Sequence, residues 1–463
     1  MAKFSIAQVI KAVGGELAEG SVDMVVNGVS TDSRAITRGC LFVAIRGERM
    51  DGHDYVRQAF AKGASAALVS HKLIVASSPG KAMVAAPDTT QALLDLAAWH
   101  RSQMKNLLLV AVTGSNGKTG VKDMIAAVLS KKYKTLKTEG NLNNQIGLPM
   151  TLLGLKPLHQ AAVVELGINY TGEMDLLAAT ARPDIGVITN IGPAHLEGFK
   201  TVANVRKTKA RMLDYMTRGG MAILNASDPN SAPIIKARQG KRTITFGTGE
   251  GNVAVVENVL AKAGTGRRIK ISWNGEVYAM KVRGIGESAA INAAAAFAAG
   301  VAAKVAPEMI VKAIGSTPPA PMRMAMEKTP GGAWLIDDSY NANPVSVESA
   351  LSTFGEFGEG RKFLVFGDML EMGKAAEKAH AAVARQAKAA GVERIFTYGP
   401  LAAITAMEAK KVGLVGVERK SHEALALAVT NVLKPGDVAL VKGSRGMRMD
   451  KVAELIRQAG EGK

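Results

Sequence analysis

The stretch that decides the fold is Leu107-Leu-Leu-Val-Ala-Val-Thr-Gly-Ser-Asn-Gly-Lys-Thr119. Its apolar first half predicts a buried β-strand, and its glycine-rich second half predicts a tight loop that opens a helix over residues 121–129. Such a loop directs backbone N–H groups and a helix N-terminus at anionic oxygens. An ordinary strand-to-helix turn is the alternative, because glycine and asparagine are common in turns.

The loop has the spacing Gly114-x-x-Gly117-Lys118-Thr119, which is shorter than the general P-loop, since Val112 stands where that pattern has its first glycine. Lys118 offers a point charge suited to the β- and γ-phosphates of a nucleotide, and Thr119 offers a hydroxyl suited to Mg²⁺. The residues predicted to bind the nucleotide here are Gly114, Ser115, Asn116, Gly117, Lys118, Thr119 and Gly120.

Composition indicates a globular protein of several domains. The chain has 463 residues, which is long enough for about three domains. Of these residues 47% are hydrophobic and 21% charged, values typical of soluble proteins. Cys40 is the single cysteine, which excludes an intramolecular disulfide framework and fits a reducing compartment. No apolar run is long enough to cross a membrane, and the first residues lack the pattern of a signal peptide. We therefore expect a cytoplasmic protein without membrane insertion.

The net charge of +18 raises the question of nucleic-acid binding. The lysines and arginines are scattered along the chain, and aromatic residues make up only 5%, which leaves little for base stacking. We therefore expect an enzyme with anionic substrates and no nucleic-acid partner. A basic P-loop protein that uses a nucleotide as a switch and contacts nucleic acid is the alternative from another class.

Strand-like and helical stretches alternate along the whole chain, which predicts an α/β fold with mostly parallel sheets covered by helices. A turn is predicted at residues 77–80. Three prolines in Thr317-Pro-Pro-Ala-Pro321 predict a stiff connector. The predicted domains are a smaller N-terminal α/β domain (1–86), a central P-loop domain (87–316) and a C-terminal Rossmann-like domain (317–463).

Three further positions carry chemistry that the residues alone leave open. Glu165 ends an apolar strand, where a carboxylate can meet a metal held near the phosphate loop, although a solvated acid is also common there. His195 follows the next strand, and such a lone histidine is more often structural than a ligand. Lys207 and Lys209 lie in a predicted helix over residues 204–213, where composition alone predicts a solvated face.

Ordered strings along nearly the whole chain resemble those of the Mur ligase family. The first region has Ser30-Thr-Asp-Ser-Arg34 and Arg46-Gly-Glu-Arg-Met-Asp-Gly-His53; the centre has the short phosphate loop, Gly140-Asn-Leu-Asn-Asn-Gln-Ile-Gly-Leu-Pro149 and Asn190-Ile-Gly-Pro-Ala-His-Leu-Glu-Gly-Phe199; the last region has Ile336-Asp-Asp-Ser-Tyr-Asn-Ala-Asn-Pro344, Phe366-Gly-Asp-Met-Leu-Glu-Met-Gly373 and Lys442-Gly-Ser-Arg445. So many matching strings in the same order do not arise by chance.

The resemblance implies an ATP- and Mg²⁺-dependent amide ligase. The last-region strings are most similar to the members that join D-alanyl-D-alanine to UDP-N-acetylmuramoyl-tripeptide, through an acyl phosphate, to give a peptidoglycan precursor. The implied partners are these two substrates, and we expect a monomer. A sister ligase that adds the third amino acid of the peptide is the nearest alternative.

The resemblance also implies roles for single residues. The implied catalytic residues are Lys118, Glu165, His195 and Lys209. Thr119 and Glu165 would bind one Mg²⁺, and His195 and a carbamylated Lys209 would help to place a second. Lys209 lies fourteen residues after His195, as the family pattern requires, and Lys207 is the rival assignment.

Other implied roles have plain structural alternatives. Asn292 is placed for adenine, or caps a helix. Arg323, with Asp337 or Asp338, is placed for the ribose or phosphates of ATP. The implied substrate-binding residues are Ser33 and Arg34 in the UDP region, and Asn143 and Asn144, which could instead shape a turn.

The chain departs from the family pattern at a few positions. Gly120 replaces a frequent second hydroxyl residue, and Ser288-Ala289 replaces a frequent His-Asn before the helix expected to face adenine. Met322 replaces a common glycine before Arg323. None of these changes removes a residue that the chemistry needs.

Overall fold

The computed structural model describes residues 2–47, 49–70, 80–261, 266–286, 288–358 and 360–459. The turn predicted at residues 77–80 lies outside the described residues except for Gly80. The chain forms two compact units, which are described separately below. The first comprises Met1–Thr113, Lys132–Val187 and Thr208–Ala222, and the second comprises Gly114–Lys131, Ile188–Lys207 and Ile223–Lys463.

The elements alternate between strand and helix for most of the chain. Those before the phosphate loop are β1 (Lys3–Ser5), α1 (Ile6–Val13), β2 (Glu16–Glu19), β3 (Val25–Asn27), β4 (Val29–Ser30), β5 (Leu41–Val43), α2 (Val56–Ala61), β6 (Ala66–Val69), β7 (Ala82–Ala85), α3 (Thr89–Gln103) and β8 (Leu108–Thr113). Those that follow it are α4 (Lys118–Leu129), β9 (Thr135–Lys137), α5 (Gly147–Leu153), β10 (Ala161–Glu165), α6 (Glu173–Ala181), β11 (Ile185–Ile188), α7 (Leu196–Phe199), α8 (Val202–Ala210), β12 (Met221–Asn225) and α9 (Ala232–Ala237).

The later elements begin with four consecutive strands. They are β13 (Thr243–Thr248), β14 (Val253–Leu260), β15 (Arg267–Trp273), β16 (Glu276–Val282), α10 (Ser288–Ala302), α11 (Pro307–Ser316), β17 (Ala325–Lys328), β18 (Trp334–Asp338), α12 (Pro344–Gly355), β19 (Lys362–Gly367), α13 (Ala376–Ala389), β20 (Val392–Tyr398), α14 (Ala402–Lys411), β21 (Val415–Arg419), α15 (His422–Thr430), β22 (Val438–Lys442) and α16 (Met449–Gln458).

The first unit holds a five-stranded sheet near the N-terminus and the strands that lead to the phosphate loop. The N-terminal sheet has the order β2-β7-β6-β5-β4, in which only β2 runs antiparallel to its neighbour. All residues of β5, β6 and β7 are buried, as expected for parallel strands covered on both faces.

The register of two strands in the first unit places Glu165 beside the carboxyl end of β8. Strand β10 lies parallel to β8, with Glu165 opposite Val112, and β9 lies parallel to β10 on its other side. Because carboxyl ends of parallel strands meet at one edge of a sheet, Glu165 stands at the edge where β8 ends at Thr113. Both strands were predicted, and their near-continuous apolar runs account for this.

The second unit includes a part that the alternation of strands and helices did not predict. Strands β13 and β14 are parallel, but β14, β15 and β16 form an antiparallel meander. A signal for it exists, because Asn274-Gly275 joins β15 to β16 with positive φ at both residues (50° and 84°), the geometry of a type I′ hairpin turn.

The C-terminal sheet of the second unit has the order β17-β18-β22-β19-β20-β21 and is parallel except for the edge strand β17. Successive residues of β19 face opposite sides: Leu364 and Phe366 pack in a core with α12 and α13, whereas Phe363 and Val365 pack in a core with α15 and α16. Helices therefore cover both faces, and the predicted Rossmann-like winding is confirmed.

In the described part of the chain, no helix combines the length and the apolar composition needed to cross a bilayer. The domain boundaries at residues 86 and 316 stay predictions.

Candidate active site

The phosphate loop is shaped by two glycines that no other residue could replace without movement. Gly117 has φ 79° and ψ −10° and immediately precedes α4. A Cβ atom at Gly117 would lie 2.6 Å from Asn292 Oδ1, and one at Gly114 would lie 1.8 Å from Thr189 Oγ1. Both distances are shorter than van der Waals contact. The glycines thus serve a close approach of the backbone and a left-handed turn, as the loop interpretation requires.

The segment after β11 holds the loop in place. The Ser115 N–H donates to the Asn190 carbonyl at 2.9 Å, and the Asn116 N–H donates to Asn190 Oδ1 at 2.9 Å. Thr189 Oγ1 donates to the Asn116 carbonyl at 2.6 Å, and Ser115 Oγ donates to the Gly192 carbonyl at 3.0 Å. Sequence reasoning missed Thr189 and Asn190 as supports of the loop, although Asn190 opens a string quoted for the family resemblance.

The charges at the loop favour an anion. Lys118, the first residue of α4, directs its ammonium back over the loop, where it donates to the Gly114 carbonyl at 2.9 Å and more weakly to the Ser115 carbonyl at 3.4 Å. The positive end of the twelve-residue helix α4 lies at the same place. An ammonium, a helix N-terminus and turned backbone together form a site for phosphate oxygens.

Asn292, predicted to face adenine, lies on α10 next to the phosphate loop. It approaches Gly117, and its Nδ2 would be 3.5 Å from a Cβ atom at Gly120. A larger residue at position 120 would therefore contact Asn292, so the glycine that departs from the family pattern leaves room around this amide. The adenine role itself stays a prediction.

Arg323 reaches the phosphate loop from beyond the proline connector. One of its terminal nitrogens donates to Thr119 Oγ1 at 3.1 Å, and its guanidinium carbon lies 4.0 Å from the centroid of the Tyr340 ring. The backbone that presents it is strained, because Met322 and Met324 have φ values of 58° and 52°, each at a cost of about 1 kcal/mol. Position 322 thus adopts a left-handed conformation, which glycine adopts at the least cost.

The adjacent carboxylates Asp337 and Asp338 have different surroundings. Asp338 accepts from the Met324 N–H at 3.1 Å and forms an ion pair with the buried Lys442 ammonium. Asp337 accepts from the backbone and hydroxyl of Ser339, and burial raises its pKa. Asp338 thus holds the backbone next to Arg323, and the role of each carboxylate toward ATP stays a prediction.

Two further contacts connect C-terminal residues with the loop region within the second unit. Asn343 Nδ2 donates to Asn116 Oδ1 at 3.1 Å, while Asn343 Oδ1 caps α12 by accepting from the Ser346 N–H. His195 Nδ1 lies 2.8 Å from Glu371 Oε2, and both residues have positive φ (51° and 60°). Sequence reasoning assigned no role to Asn343 or Glu371, because contacts over such long sequence separations leave no local pattern.

The first unit holds the remaining predicted residues of the catalytic set. Glu165 is 2% exposed, accepts from Asn143 Nδ2 at 2.8 Å, and its N–H donates to Thr138 Oγ1 at 3.1 Å. Lys209 is also 2% exposed, whereas its rival Lys207 is exposed. The burial of Lys209 and the exposure of Lys207 agree with the assignment of Lys209 that the family spacing implies. A solvated helix face would leave both lysines exposed.

The alternative that an asparagine only shapes a turn fits Asn144 better than it fits Asn143. Its side chain accepts from the N–H groups of Ile146 and Gly147 at 3.2 and 2.9 Å and so shapes the turn before α5. Asn143 instead donates to Glu165. The substrate role of each asparagine stays a prediction.

The predicted UDP-binding pair lies in different environments. Ser33 is buried and donates to Gln58 at 2.9 Å. Arg34 is highly exposed and forms a two-point ion pair with Asp32, whose pKa the Arg34 hydrogen bonds lower to about 2. The guanidinium is thus held in one direction but is still accessible to an anion.

Among the described residues, no three or more His, Cys, Asp or Glu side chains lie close enough together to bind a metal ion. The predicted metal set, Thr119, Glu165, His195 and Lys209, contains only two residues of those kinds. Oxygen donors suit Mg²⁺, and the buried Glu165 carboxylate and the Thr119 hydroxyl are such donors.

Comparison with known proteins places the chain in a family. Three family models match in order: "Mur ligase family, catalytic domain" at residues 25–106, "Mur ligase middle domain" at residues 112–300, and "Mur ligase, glutamate ligase domain" at residues 322–445. Together they cover most of the chain.

Individual relatives match from end to end. The chain is 34% identical over 461 residues to the UDP-N-acetylmuramoyl-tripeptide–D-alanyl-D-alanine ligase of Bacillus subtilis (strain 168), with 98% of both chains covered. It is 35% identical over 466 residues to the ligase of the same name from Escherichia coli (strain K12), covering 99% of this chain and all of that one. A crystal structure of MurF from Acinetobacter baumannii is similar with a TM-score of 0.91 and 29% identity, over 99% of each chain.

The fold and the loop define an α/β protein built to hold the phosphates of a nucleotide. The chain belongs to the Mur ligase family and has the three-domain fold of that family. The resemblance and the fold class inferred from the sequence are thereby confirmed.

Proposed function

We propose that this protein is an ATP-dependent ligase that joins D-alanyl-D-alanine to UDP-N-acetylmuramoyl-tripeptide, giving UDP-N-acetylmuramoyl-pentapeptide, ADP and phosphate. The observation that carries the proposal is the end-to-end match, at 34–35% identity, to two ligases with this name. These matches do not favour a sister ligase or a nucleic-acid-binding switch. The product is a precursor of peptidoglycan.

The chemistry explains why such an enzyme needs a phosphate loop. A carboxylate is a poor electrophile, so one of its oxygens first attacks the γ-phosphorus of ATP, and ADP leaves. The amine of D-alanyl-D-alanine then attacks the carbonyl carbon of the acyl phosphate, and phosphate leaves with the former carboxylate oxygen. Both steps gather several negative charges, which positioned cations and N–H donors stabilise.

The groups around the loop match this demand for positive charge. Lys118 and the N-terminus of α4 serve the β- and γ-phosphates, and Arg323 brings a second cation to the Thr119 end of the loop. Gly114, Ser115, Asn116, Gly117 and Gly120 complete the cradle. Asn292 serves adenine, and Asp337 or Asp338 serves the ribose or phosphates next to Arg323.

Mg²⁺ would be held by Thr119 and Glu165, with His195 and a carbamylated Lys209 at a second ion. A divalent cation supplies charge neutralisation to the phosphates when bound. Carbamylation converts a lysine ammonium, which repels a metal, into an anion that attracts one. The burial of Lys209 supports this assignment over Lys207.

The remaining assignments complete the proposal. Ser33 and Arg34 bind the UDP part of the first substrate, and Asn143 and Asn144 line the peptide side. The domains are residues 1–86, 87–316 and 317–463. We propose that the protein acts as a monomer in the cytoplasm.

Phosphate release from ATP tests the function directly. The wild-type protein is supplied with Mg-ATP, with either UDP-N-acetylmuramoyl-tripeptide or the shorter UDP-dipeptide, and with one amine at a time: D-alanyl-D-alanine, meso-diaminopimelate or L-lysine. Among the three amines, only D-alanyl-D-alanine is expected to support turnover. Phosphate release is expected only when UDP-N-acetylmuramoyl-tripeptide is present as well. The matched control is Lys118→Ala, which should abolish turnover with every amine.

Two outcomes would contradict the proposal. Turnover with a diamino acid on the shorter UDP-dipeptide, and none with D-alanyl-D-alanine, would identify a sister ligase. ATP hydrolysis stimulated by RNA or DNA, with steep dependence on salt, would indicate the nucleotide switch.

A further inference from the structure

Arg323 contacts the phosphate loop through Thr119, and two main-chain hydrogen bonds hold the residues on either side of Arg323. The Tyr340 N–H donates to the Met322 carbonyl at 3.1 Å, and Asp338 accepts from the Met324 N–H at 3.1 Å. These two bonds fix the left-handed residues on either side of Arg323. The backbone of Arg323 is therefore set by main-chain bonds that do not depend on the Tyr340 side chain.

The Tyr340 ring provides a separate contact to the end of the Arg323 side chain. The guanidinium carbon lies 4.0 Å from the ring centroid, and a terminal nitrogen of the same group donates to Thr119 Oγ1. The arginine side chain has many rotamers, so stacking on a fixed ring removes much of the freedom that it would otherwise lose on binding.

The ring is itself held near the loop. Three residues after Tyr340, Asn343 donates to Asn116 Oδ1 and caps α12. Two residues before it, Asp338 is paired with the buried Lys442, which also donates to the Asn341 carbonyl. The segment that carries Tyr340 is thus fixed on both sides of the ring.

We propose that Tyr340 is a positioning residue that holds the Arg323 guanidinium at the phosphate loop, where it serves the terminal phosphate of ATP. Lys118 and Thr119 are adjacent, and Arg323 donates to the second of them, so its charge lies at the end of the loop assigned to the β- and γ-phosphates and to Mg²⁺. The ring should therefore matter for ATP more than for ADP. The inference rests on the proposed use of ATP, but not on the identity of the peptide substrates.

The test separates the aromatic face of Tyr340 from its bulk. Tyr340→Phe keeps the ring, while Tyr340→Leu and Tyr340→Met remove it and keep the backbone bond to Met322. The matched control is Tyr398→Leu, because Tyr398 is also half-buried but lies at the end of β20, where its ring packs against His422 with the ring centroids 4.5 Å apart. Calorimetry then measures the Kd of each full-length variant for a non-hydrolysable ATP analogue and for ADP, both with Mg²⁺.

A stacked cation typically contributes enough to change an equilibrium about fivefold. We expect Tyr340→Leu and Tyr340→Met to weaken binding of the ATP analogue about fivefold, equivalent to about 1 kcal/mol, and ADP binding less than twofold. Tyr340→Phe and Tyr398→Leu should bind both nucleotides as the wild type does. In an Arg323→Ala background, Tyr340→Leu should have no further effect on the ATP analogue.

Three results would overturn the proposal. One is wild-type affinity for the ATP analogue in both folded variants that lack the ring. Another is an equal loss of affinity for ADP and the analogue, and the third is an undiminished effect in the Arg323→Ala background. The unfolding midpoint of each variant identifies a folded protein, and the conservative Tyr340→Phe variant tests rescue. Failure of the peptide-ligase assay would leave these binding results intact, so the two proposals fail separately.

Discussion

The close approach of Gly117 to Asn292 gives a prediction in which backbone strain and site geometry can be separated. Gly117→Ala places a methyl group at a residue with φ 79°, where an L-residue costs about 1 kcal/mol. The new Cβ would lie 2.6 Å from Asn292 Oδ1, so that distance must open to at least 3.4 Å for an ordinary contact. The Asn292 amide, the loop, or both must move.

The shift should weaken nucleotide binding more than it destabilises the fold. A lost neutral hydrogen bond at Asn292 costs about 1 kcal/mol, and a misdirected N–H to a charged phosphate costs at least as much. Together they give about 2 kcal/mol, which is about a thirtyfold increase in Kd for Mg-ATP. Titration calorimetry measures this Kd, and urea denaturation measures the free energy of unfolding.

Gly240→Ala is the matched control. Gly240 has nearly the same φ, 78°, but a Cβ there would have no described heavy atom within 4 Å. It should show the same loss of about 1 kcal/mol in unfolding free energy and an unchanged Kd. In an Asn292→Ala background the effect of Gly117→Ala on Kd should shrink. A folded Gly117→Ala protein that binds Mg-ATP within twofold of the wild type would refute the reasoning.

Three other changes have defined outcomes. Arg267 is 3% exposed and is paired at 2.9 Å with Glu356, which is 34% exposed, so Arg267→Met should lower the unfolding free energy in urea by about 2 kcal/mol, mainly because the Ile285 carbonyl loses a charged donor; a change below about 0.5 kcal/mol would show that the pair is neutral. Arg34→Gln should raise the pKa of Asp32 from about 2 towards 3.8; because the folded-state pKa is lowered, the pair stabilises the fold above pH 3.8 and loses this effect as the pH falls through about 2, and an NMR titration in which the variant keeps the low pKa would contradict the assigned cause. Lys209→Ala should lose activity and regain part of it with a short-chain carboxylate, while the exposed Lys207→Ala stays active; full activity of Lys209→Ala without carboxylate would remove the carbamate assignment.

The sequence predicted those parts of the fold that depend on local pattern. The strand that leads into the phosphate loop and four of the five parallel C-terminal strands were found, because buried parallel strands are nearly continuous apolar runs. The fifth, the edge strand β21, was not found, because none of its residues is buried. The meander of β14, β15 and β16 was not found, although the Asn274-Gly275 turn was available as a signal.

The residues of the candidate site likewise divide into those that local sequence pattern predicted and those that it did not. Lys118, Thr119 and Glu165 were recognised because loop spacing and strand ends are local features. Tyr340 and Asn343 were not assigned roles, since their contacts with Arg323 and Asn116 depend on how distant segments pack. Met322 was noticed as a departure from glycine, but only its φ of 58° shows what that position demands.

The central claim is that ATP activates the carboxylate of the tripeptide, and the fate of one oxygen atom tests it. UDP-N-acetylmuramoyl-tripeptide labelled with ¹⁸O in its terminal carboxylate is converted with ATP and D-alanyl-D-alanine, and the phosphate released is analysed by mass spectrometry. An acyl phosphate predicts one ¹⁸O atom in each phosphate and pentapeptide as the second product. Unlabelled phosphate formed together with pentapeptide would contradict activation of the carboxylate by ATP.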